Sequence, residues 1–259
     1  MVLYSFSVIP AWVVSYKTHR MVAKVTCSKG IEYRVHAPTA CSGLLVPGAQ
    51  VRISPIDNPK ICSHRILCIL TQDGWAGANP IIGELATIRA LKLGLIDGYR
   101  LLDSPRGPND AVCMTEEGVR PVEIKCVQTY YPVWEAFVFP TINQLEDSSR
   151  ILENRPYANP ISQRSVRQFR ELANLGGHVI FSCIGPKKTH QATVVVNPLD
   201  QKLFDGSKNV TCIQILLEWS EDGAISFVGG PKKMSPESAN SFSKSLRGRI
   251  VRARSLKKI

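Results

Sequence analysis

The first 75 residues alternate apolar and polar side chains over short runs, and turn-forming residues separate these runs. Alternation with a period of two residues predicts half-buried β-strands. The separating turns contain Gly, Pro, Asn and Asp, as at residues 28–30, 47–48 and 57–59. The predicted strands occupy residues 3–9, 12–15, 21–27, 32–36, 50–54 and 66–71. Five or six short strands without a helix predict a small closed barrel.

The hydrophobic period becomes that of a helix after Trp75. Asn79 is a favourable N-cap residue and Pro80 is favourable at the first helical position, so a helix is predicted to begin there. Apolar residues follow at helical spacing, and Gly94 predicts the end of the helix. These apolar residues are Ile81, Ile82, Leu85, Ile88 and Leu91. A helix therefore opens the second part of the chain.

Beyond this helix, predicted strands flank a second helix and a polar segment at residues 141–160 that predicts an inserted loop. The strands are at residues 110–114, 119–127, 133–139, 178–184, 192–196, 210–218 and 224–228, and the helix is at residues 162–175. This order of elements predicts an α/β domain. The sequence therefore predicts an α+β protein with a barrel at residues 1–75, an α/β domain at 76–231 and a basic tail at 232–259.

The net charge of +11 is concentrated near the C-terminal end. Residues 232–259 contain nine basic side chains against one acidic side chain, Glu237, so they carry +8 and leave +3 for residues 1–231. Their polar composition predicts disorder in isolation. Spaced arginines suit phosphate groups, so the tail is interpreted as a nucleic-acid contact or, alternatively, as a solubilising or targeting tail. The nine basic residues are Lys232, Lys233, Lys244, Arg247, Arg249, Arg252, Arg254, Lys257 and Lys258.

Eight cysteines are spread along the chain without a C-x-x-C pair. Cys68 and Cys183 lie within apolar runs, which favours reduced core thiols over a structural zinc site. Reduced thiols indicate an intracellular, reducing compartment, either the cytoplasm or the mitochondrion. No uncharged apolar run reaches the roughly 20 residues of a membrane span. Residues 1–16 lack the basic residues of a targeting sequence, and no membrane association is expected.

Aromatic and basic side chains are interleaved in the predicted barrel, and the oligonucleotide-binding fold is one common form of such a barrel. Rings that stack on bases and cations that contact phosphates are typical of single-strand binding. Alternating aromatics also fit a barrel core, and the pattern leaves both interpretations open. The residues are Tyr4, Phe6, Trp12, Tyr16 and Tyr33, with Lys17, Arg20, Lys24 and Arg34. The positive charge makes nucleic acid, RNA or DNA, the expected partner.

Asp110, Glu123 and Lys125 form the constellation for which the sequence predicts chemistry. A turn centred between Glu116 and Glu117 places residues 110 and 123 directly opposite each other. Cross-strand Cβ atoms are about 4.5–5.5 Å apart, so the two carboxylates suit one hard cation such as Mg²⁺. Lys125 lies two residues further on the same strand face. This set is suited to phosphodiester cleavage, although the same residues also fit an ordinary solvated strand.

Several short motifs follow one another along most of the chain. They are GLLVPGAQV at 43–51, WAGAN at 75–79, ALKLGLI at 90–96, NDAVCM at 109–114, PVEIKCV at 121–127, FP at 139–140, RQFREL at 167–172, GHVIF at 177–181 and NP at 197–198. In this order and spacing they resemble the sugar fermentation stimulation protein A family. The resemblance implies an oligonucleotide-binding barrel joined to a restriction-endonuclease-like domain of the PD-(D/E)xK nuclease type.

By this resemblance, Asp110 and Glu123 are metal ligands and Lys125 is the catalytic lysine. Glu84, on the first predicted helix, matches a further acidic position that approaches the metal, and it fits an exposed helix glutamate equally well. The resemblance also implies nucleic-acid binding. Two functions are therefore predicted: a Mg²⁺-dependent nuclease or, alternatively, a catalytically silent RNA-binding component of a large ribonucleoprotein such as a mitochondrial ribosome.

Overall fold

The structure is a computed structural model, and it describes residues 1–17, 21–37, 45–71, 74–104, 109–127, 130–131, 136–139, 163–185, 193–196 and 209–234. The strands are β1 (Val2–Ser5), β2 (Ile9–Lys17), β3 (Val22–Cys27), β4 (Glu32–His36), β5 (Gln50–Pro55), β6 (His64–Thr71), β7 (Gly74–Gly77), β8 (Arg100–Asp103), β9 (Ala111–Thr115), β10 (Gly118–Val127), β11 (Tyr130–Tyr131), β12 (Ala136–Phe139), β13 (His178–Gly185), β14 (Thr193–Val196), β15 (Thr211–Trp219) and β16 (Ala224–Lys233). The helices are α1 (Pro80–Lys92) and α2 (Gln163–Leu175). The predicted loop at 141–160 lies outside the described residues.

Strands β2 to β7 form the first sheet, in the spatial order β4-β3-β2-β5-β6-β7. β4 also pairs with β6, which closes β2 to β6 into a barrel, as predicted. Alternate residues point inward, and Val13, Val25, Val35, Val51 and Ile53 are almost completely buried there. Burial of one face of each strand is what the alternating sequence pattern requires. The other face of the same strands is left for polar side chains.

The second sheet has the order β1-β16-β15-β13-β10-β9-β8. Its strands β10, β13 and β15 are parallel and covered on both faces, which explains their nearly continuous apolar sequences. Ile82 of α1 shares a core with Ile124 and Ile180 on one face. Phe169 of α2 shares a core with Phe137 of the small sheet β11-β12-β14 on the other face. This part of the chain is the predicted α/β domain.

Helix α1 has the ends that the sequence predicts. Asn79 Oδ1 accepts a hydrogen bond from the Ile81 N–H at 3.2 Å, and Gly94 has a φ of +67°, a conformation that ends helices. Gly83 lets α1 approach the sheet closely, because a Cβ there would lie 2.2 Å from Cys126 Sγ. The helix therefore lies against β10, the strand that carries the predicted catalytic residues.

The N-terminal strand departs from the predicted domain division. The predicted strand at residues 3–9 is divided, since β1 pairs antiparallel with β16 of the second sheet and β2 begins the barrel at Ile9. Leu3 is buried, and the Phe6 ring lies 5.7 Å from the Trp219 ring. Alternation predicts a strand, but it does not specify the sheet that the strand joins. The first residues therefore belong to the α/β sheet, which β16 extends beyond residue 231.

The barrel and the α/β domain meet at β7 and at Arg52. β7 pairs with β6 and also contacts β13 and β15. The sequence does not predict this strand, because its two glycines weaken the strand pattern. The buried Arg52 guanidinium lies 4.3 Å from the Trp75 ring centroid and 3.0 Å from Glu221 Oε1. Arg52 Nε donates to the Glu221 carbonyl at 3.2 Å. These contacts join the barrel to the β15–β16 turn.

The described cysteines are free thiols, as predicted. They are Cys27, Cys62, Cys68, Cys113, Cys126, Cys183 and Cys212, and Cys41 lies outside the described residues. Burial raises the pKa of Cys113 to about 11 and that of Cys68 to about 12, so both thiols stay protonated and unreactive at neutral pH. In the part of the chain that the structure describes, neither helix is long and apolar enough to cross a membrane.

Candidate active site

The β9–β10 hairpin has the register that the sequence predicts. Gly118 pairs with Thr115 next to the turn, and Ala111 pairs with Val122 at the other end of the ladder, directly after Asp110. The turn fixes this pairing, because residues at equal distances from the centre of a two-residue turn are neighbours in the antiparallel ladder. The two-residue turn at Glu116 and Glu117 and the pairing of β9 with β10 are therefore as predicted, and the direct opposition of Asp110 and Glu123 stays a prediction.

Asp110 is held by the main chain of the neighbouring strand. Its Oδ2 accepts a hydrogen bond from the Ile124 N–H at 2.7 Å, and its own N–H donates to the Val122 carbonyl at 3.1 Å. The residue is half-buried. Backbone groups of β10 thus set the orientation of the Asp110 carboxylate at the base of the hairpin.

Glu123 and Lys125 point to the face of the sheet that α2 covers. The intervening Ile124 belongs to the core under α1, whereas Val127 belongs to the core under α2. Side chains alternate along β10, so residues 123, 125 and 127 share the α2 face. Glu123 and Lys125 therefore lie on one face, beside α2. The Asp110 carboxylate reaches the main chain between them, at the Ile124 N–H.

Gln168 of α2 closes a hydrogen-bonded ring with Glu123 and Lys125. Lys125 Nζ donates to Glu123 Oε1 at 2.6 Å and to Gln168 Oε1 at 2.8 Å. Gln168 Nε2 donates to Glu123 Oε1 at 2.7 Å. The side-chain exposure is 4% for Glu123 and 14% for Lys125, and Gln168 is also buried. Short charge-assisted hydrogen bonds in a buried setting fix the positions of all three side chains.

Sequence reasoning gives Gln168 no role in the site. The residue is 43 positions along the chain from Lys125, beyond the reach of a local motif. The available signal is helical spacing, because Gln168, Phe169 and Leu172 lie on the buried side of α2. A buried polar side chain among apolar neighbours requires a hydrogen-bonding group opposite it. Here the Glu123–Lys125 pair provides that group.

Glu84, the further predicted metal ligand, is exposed on α1. This helix packs on the face of the sheet opposite to α2. Among the described residues, no group of three or more His, Cys, Asp or Glu side chains is arranged to hold a metal ion. The Asp110 carboxylate instead accepts from the N–H of Ile124, the residue next to Glu123.

The nine basic residues predicted to contact nucleic acid fall into two groups. Lys232 and Lys233 lie in β16, where they pair with Gln214 and Ile213 of β15. The other seven residues lie outside the described part of the chain. The predicted start of the tail at residue 232 therefore falls inside a sheet strand, because turn and composition signals do not reveal the antiparallel pairing of β16 with β15.

The fold is similar to a solved structure, that of Pyrococcus furiosus SfsA in complex with Ca²⁺. The TM-score is 0.65 at 17% sequence identity, and the match covers 91% of this chain and 98% of that chain. No protein-family model matches the sequence, and no curated protein matches it. At this identity the likeness shows the fold alone. It confirms an SfsA-like fold, in which a small β-barrel is followed by an α/β domain.

Proposed function

We propose that this protein binds nucleic acid and that its α/β domain is a Mg²⁺-dependent phosphodiesterase, that is, a nuclease. In this proposal Asp110 and Glu123 hold the metal ion, and Lys125 acts on the scissile phosphate. The observation that carries the proposal is the contact of all three side chains with one short stretch of β10: Lys125 Nζ donates to Glu123 Oε1 at 2.6 Å, and Asp110 Oδ2 accepts from the Ile124 N–H between them. Two carboxylates and an ammonium group are suited to phosphodiester hydrolysis.

The two carboxylates fit a hard divalent cation. Mg²⁺ prefers oxygen ligands and retains several waters, so one or two protein carboxylates suffice to hold it. The similar SfsA structure contains Ca²⁺, a cation with the same preference for oxygen, which supports a divalent-cation site in a protein of this fold. When bound, Mg²⁺ neutralises phosphate charge and lowers the pKa of coordinated water. Glu84 stays a prediction as an additional ligand.

The ring around Glu123 supports the role proposed for Lys125. Its ammonium is fixed by Glu123 and Gln168 at 2.6 and 2.8 Å, so the side chain is positioned before a substrate arrives. A partly buried ammonium stabilises charge that develops on phosphate oxygens more strongly than an exposed one, because the local dielectric constant is lower. Gln168 is a positioning residue in this proposal, since it acts through Lys125 and Glu123.

The same ring also favours a second function. Glu123 and Lys125 neutralise each other at 2.6 Å, and Gln168 binds both, so the three side chains are stable together without a metal or a substrate. The protein would then be a catalytically silent RNA-binding component of a ribonucleoprotein such as a mitochondrial ribosome. The concentration of positive charge in residues 232–259 suits such a role.

A cleavage assay separates the two functions. End-labelled single- and double-stranded RNA and DNA are incubated with the full-length protein and Mg²⁺ or Mn²⁺. We expect metal-dependent cleavage that falls roughly 100-fold or more in Asp110→Asn, the loss typical of removing one electrostatic catalytic group. Asparagine keeps an oxygen for the Ile124 N–H, so the hairpin is retained. The matched control is Asp97→Asn, which removes an exposed carboxylate outside the site and is expected to cleave as the wild type does.

Calorimetric titration with Mn²⁺ in the absence of nucleic acid measures metal binding independently of cleavage. We expect weaker Mn²⁺ binding by Asp110→Asn than by the wild type and Asp97→Asn. Nucleic-acid binding without metal-dependent cleavage contradicts the phosphodiesterase and supports the second function. If the wild-type protein neither binds nor cleaves nucleic acid, both functions are wrong.

A further inference from the structure

A buried histidine outside the candidate active site has a ring nitrogen without a hydrogen-bond partner. His178 is the first residue of β13, and its side chain is 4% exposed. Its Nε2 makes no hydrogen bond with any described residue. Buried polar groups in proteins are almost always hydrogen-bonded, and each exception calls for a structural or functional reason.

Tyr99 determines which ring nitrogen of His178 carries the hydrogen. Tyr99 Oη lies 2.7 Å from His178 Nδ1. Burial raises the pKa of Tyr99, so the phenol keeps its proton at neutral pH and donates to Nδ1. Burial also lowers the pKa of His178, so the imidazole is neutral and its hydrogen lies on Nε2. The nitrogen without a partner is therefore a donor, and an oxygen acceptor suits it.

Arg120 supplies a second buried donor at the same place. Its Nε makes no hydrogen bond in the part of the chain that the structure describes, whereas its Nη1 donates to the Val119 carbonyl at 3.4 Å. Gly176, directly after α2, lies beside this nitrogen, because a Cβ on Gly176 would be 3.9 Å from Arg120 Nε. The guanidinium therefore has one nitrogen turned inward and another near the surface.

Both donors face a single carboxylate oxygen. Glu117 Oε2 lies 3.6 Å from His178 Nε2 and 3.9 Å from Arg120 Nε, and both distances exceed the usual length of a hydrogen bond. Glu117 belongs to the β9–β10 turn, and 53% of its side chain is exposed. An exposed carboxylate at such distances contributes little to stability, so another anion can take its place. Glu117 thus marks an anion position without satisfying either donor.

The charges around the imidazole favour an anion with more than one negative charge. Burial is the main cause of the lowered pKa of His178, and the charges of Arg120 and Lys233 lower it further. Lys233 is the last residue of β16 and is exposed. Two cations and the Glu117 carboxylate give a net charge of +1, which becomes +2 when Glu117 turns toward solvent. Such a set of donors and cations suits a phosphate dianion.

We propose that His178, Arg120 and Lys233 bind a phosphate group, carried by inorganic phosphate or by a phosphomonoester. Glu117 turns toward solvent, and phosphate oxygens accept hydrogen bonds from His178 Nε2 and Arg120 Nε. Lys233 adds a second positive charge at the open side. A phosphate group has more acceptor oxygens than a carboxylate, so it satisfies both buried donors at once.

This phosphate site is separate from the candidate active site. Arg120 lies two residues before Val122 on β10, so both side chains are on the same face of the sheet. Val122 and Tyr99 belong to the core under α1, whereas Glu123 and Lys125 lie on the face that α2 covers. The inference therefore goes beyond the proposed function and does not depend on it.

NMR of the histidine rings in the full-length protein tests the inference, with EDTA present to exclude divalent metal. His178→Gln identifies the His178 signal. We expect inorganic phosphate to raise the pKa of His178, because bound negative charge stabilises the imidazolium form. Sodium chloride at the same ionic strength is expected to leave this pKa close to its starting value.

Substitutions measure what each group contributes to the affinity for phosphate. We expect Arg120→Met to weaken binding about ten-fold or more, the loss typical of a charge-assisted hydrogen bond. Lys233→Met should weaken it about two- to five-fold, and Glu117→Gln should tighten it by up to about five-fold, since exposed charges contribute less. The matched control is Lys60→Met, which removes an exposed lysine between β5 and β6 and should bind phosphate as the wild type does.

Adenosine monophosphate distinguishes the two sources of the phosphate group, with adenosine as its control. Tighter binding of the nucleotide than of inorganic phosphate assigns the site to a phosphomonoester, and equal or weaker binding assigns it to free phosphate. The inference is wrong if neither compound raises the pKa of His178. It is also wrong if Arg120→Met and Glu117→Gln bind phosphate as the wild type does, or if adenosine binds as tightly as the nucleotide.

Discussion

Two Lys–Glu pairs of almost equal length have opposite surroundings in this protein. Lys125 and Glu123 are 2.6 Å apart with side-chain exposures of 14% and 4%. Lys24 and Glu32 are 2.7 Å apart with exposures of 50% and 51%. The first pair lies beneath α2 with Gln168 bound to both members, and the second lies on the outer surface of the barrel, between β3 and β4. Distance alone therefore does not reveal the role of an ion pair.

The difference lies in what remains when one member of the pair is removed. Water replaces the lost group at an exposed pair, so such a pair is worth about 0–1 kcal/mol. At a buried pair the remaining charge is left without solvent, and removing one member destabilises proteins by about 3–5 kcal/mol. The barrel pair can therefore open for a ligand. The pair beneath α2 instead holds one fixed arrangement, which suits a site that positions reacting groups.

The largest effect is expected for Lys125→Met. Methionine has a similar length but no charge, so Glu123 loses its ion-pair partner in a site with little solvent. We expect the free energy of unfolding to fall by about 3–5 kcal/mol, measured by chemical denaturation at neutral pH.

A double variant is the control for this prediction. Lys125→Met combined with Glu123→Gln removes both charges and leaves groups that are less costly to bury. We expect it to recover much of the lost stability, as replacement of whole buried ion pairs by neutral residues often does. A loss for Lys125→Met of less than about 1 kcal/mol would show that the pair behaves as an exposed one.

The register of the β9–β10 hairpin could be predicted from the sequence because the turn is short. Once the turn is placed at Glu116–Glu117, antiparallel pairing leaves one possible partner for each residue of β9. Helix α1 could also be predicted, since Asn79, Pro80 and Gly94 carry local signals that do not depend on the rest of the fold. Predictions of this kind succeed when all the determining residues lie within a few positions of one another.

Long-range placement could not be predicted in the same way. The sequence around Leu3 and Phe6 predicts a strand, but its pairing with β16 joins residues that are more than 200 positions apart. Gln168 reaches Glu123 across 45 positions, and its own segment shows only an amphipathic helix. β8 is mostly exposed at the edge of its sheet, so it lacks the apolar alternation that predicts a strand. These features follow from tertiary packing, which short motifs do not encode.

A third pair, His178 and Glu117, extends the comparison because one member is buried and the other is not. The exposures are 4% and 53%, and His178 Nε2 lies 3.6 Å from Glu117 Oε2. Tyr99 Oη lies 2.7 Å from His178 Nδ1. Burial lowers the pKa of His178, and Arg120 and Lys233 lower it further, although Glu117 acts in the opposite direction. The folded protein therefore favours the neutral imidazole.

This lowered pKa predicts a loss of stability on acidification. The unfolded chain takes up a proton near the ordinary histidine pKa of 6.5, whereas folded His178 takes it up only at lower pH. The contribution of neutral His178 is therefore complete above about pH 6.5 and is lost as the pH falls below that value. We expect the free energy of unfolding of His178→Gln to depend less on pH than that of the wild type between neutral pH and about pH 5. Identical pH dependence in the two proteins would contradict the assignment.

The smallest effect on stability is expected for Glu32→Gln, which changes the most exposed of the three ion pairs, Lys24–Glu32. Water replaces the carboxylate at Lys24, so the free energy of unfolding should change by less than about 1 kcal/mol. Chemical denaturation of the variant and the wild type at neutral pH measures this change. A destabilisation as large as that of Lys125→Met would mean that burial does not separate the two pairs. It would also mean that the contact of Glu32 with Lys24 holds β3 and β4 of the barrel together.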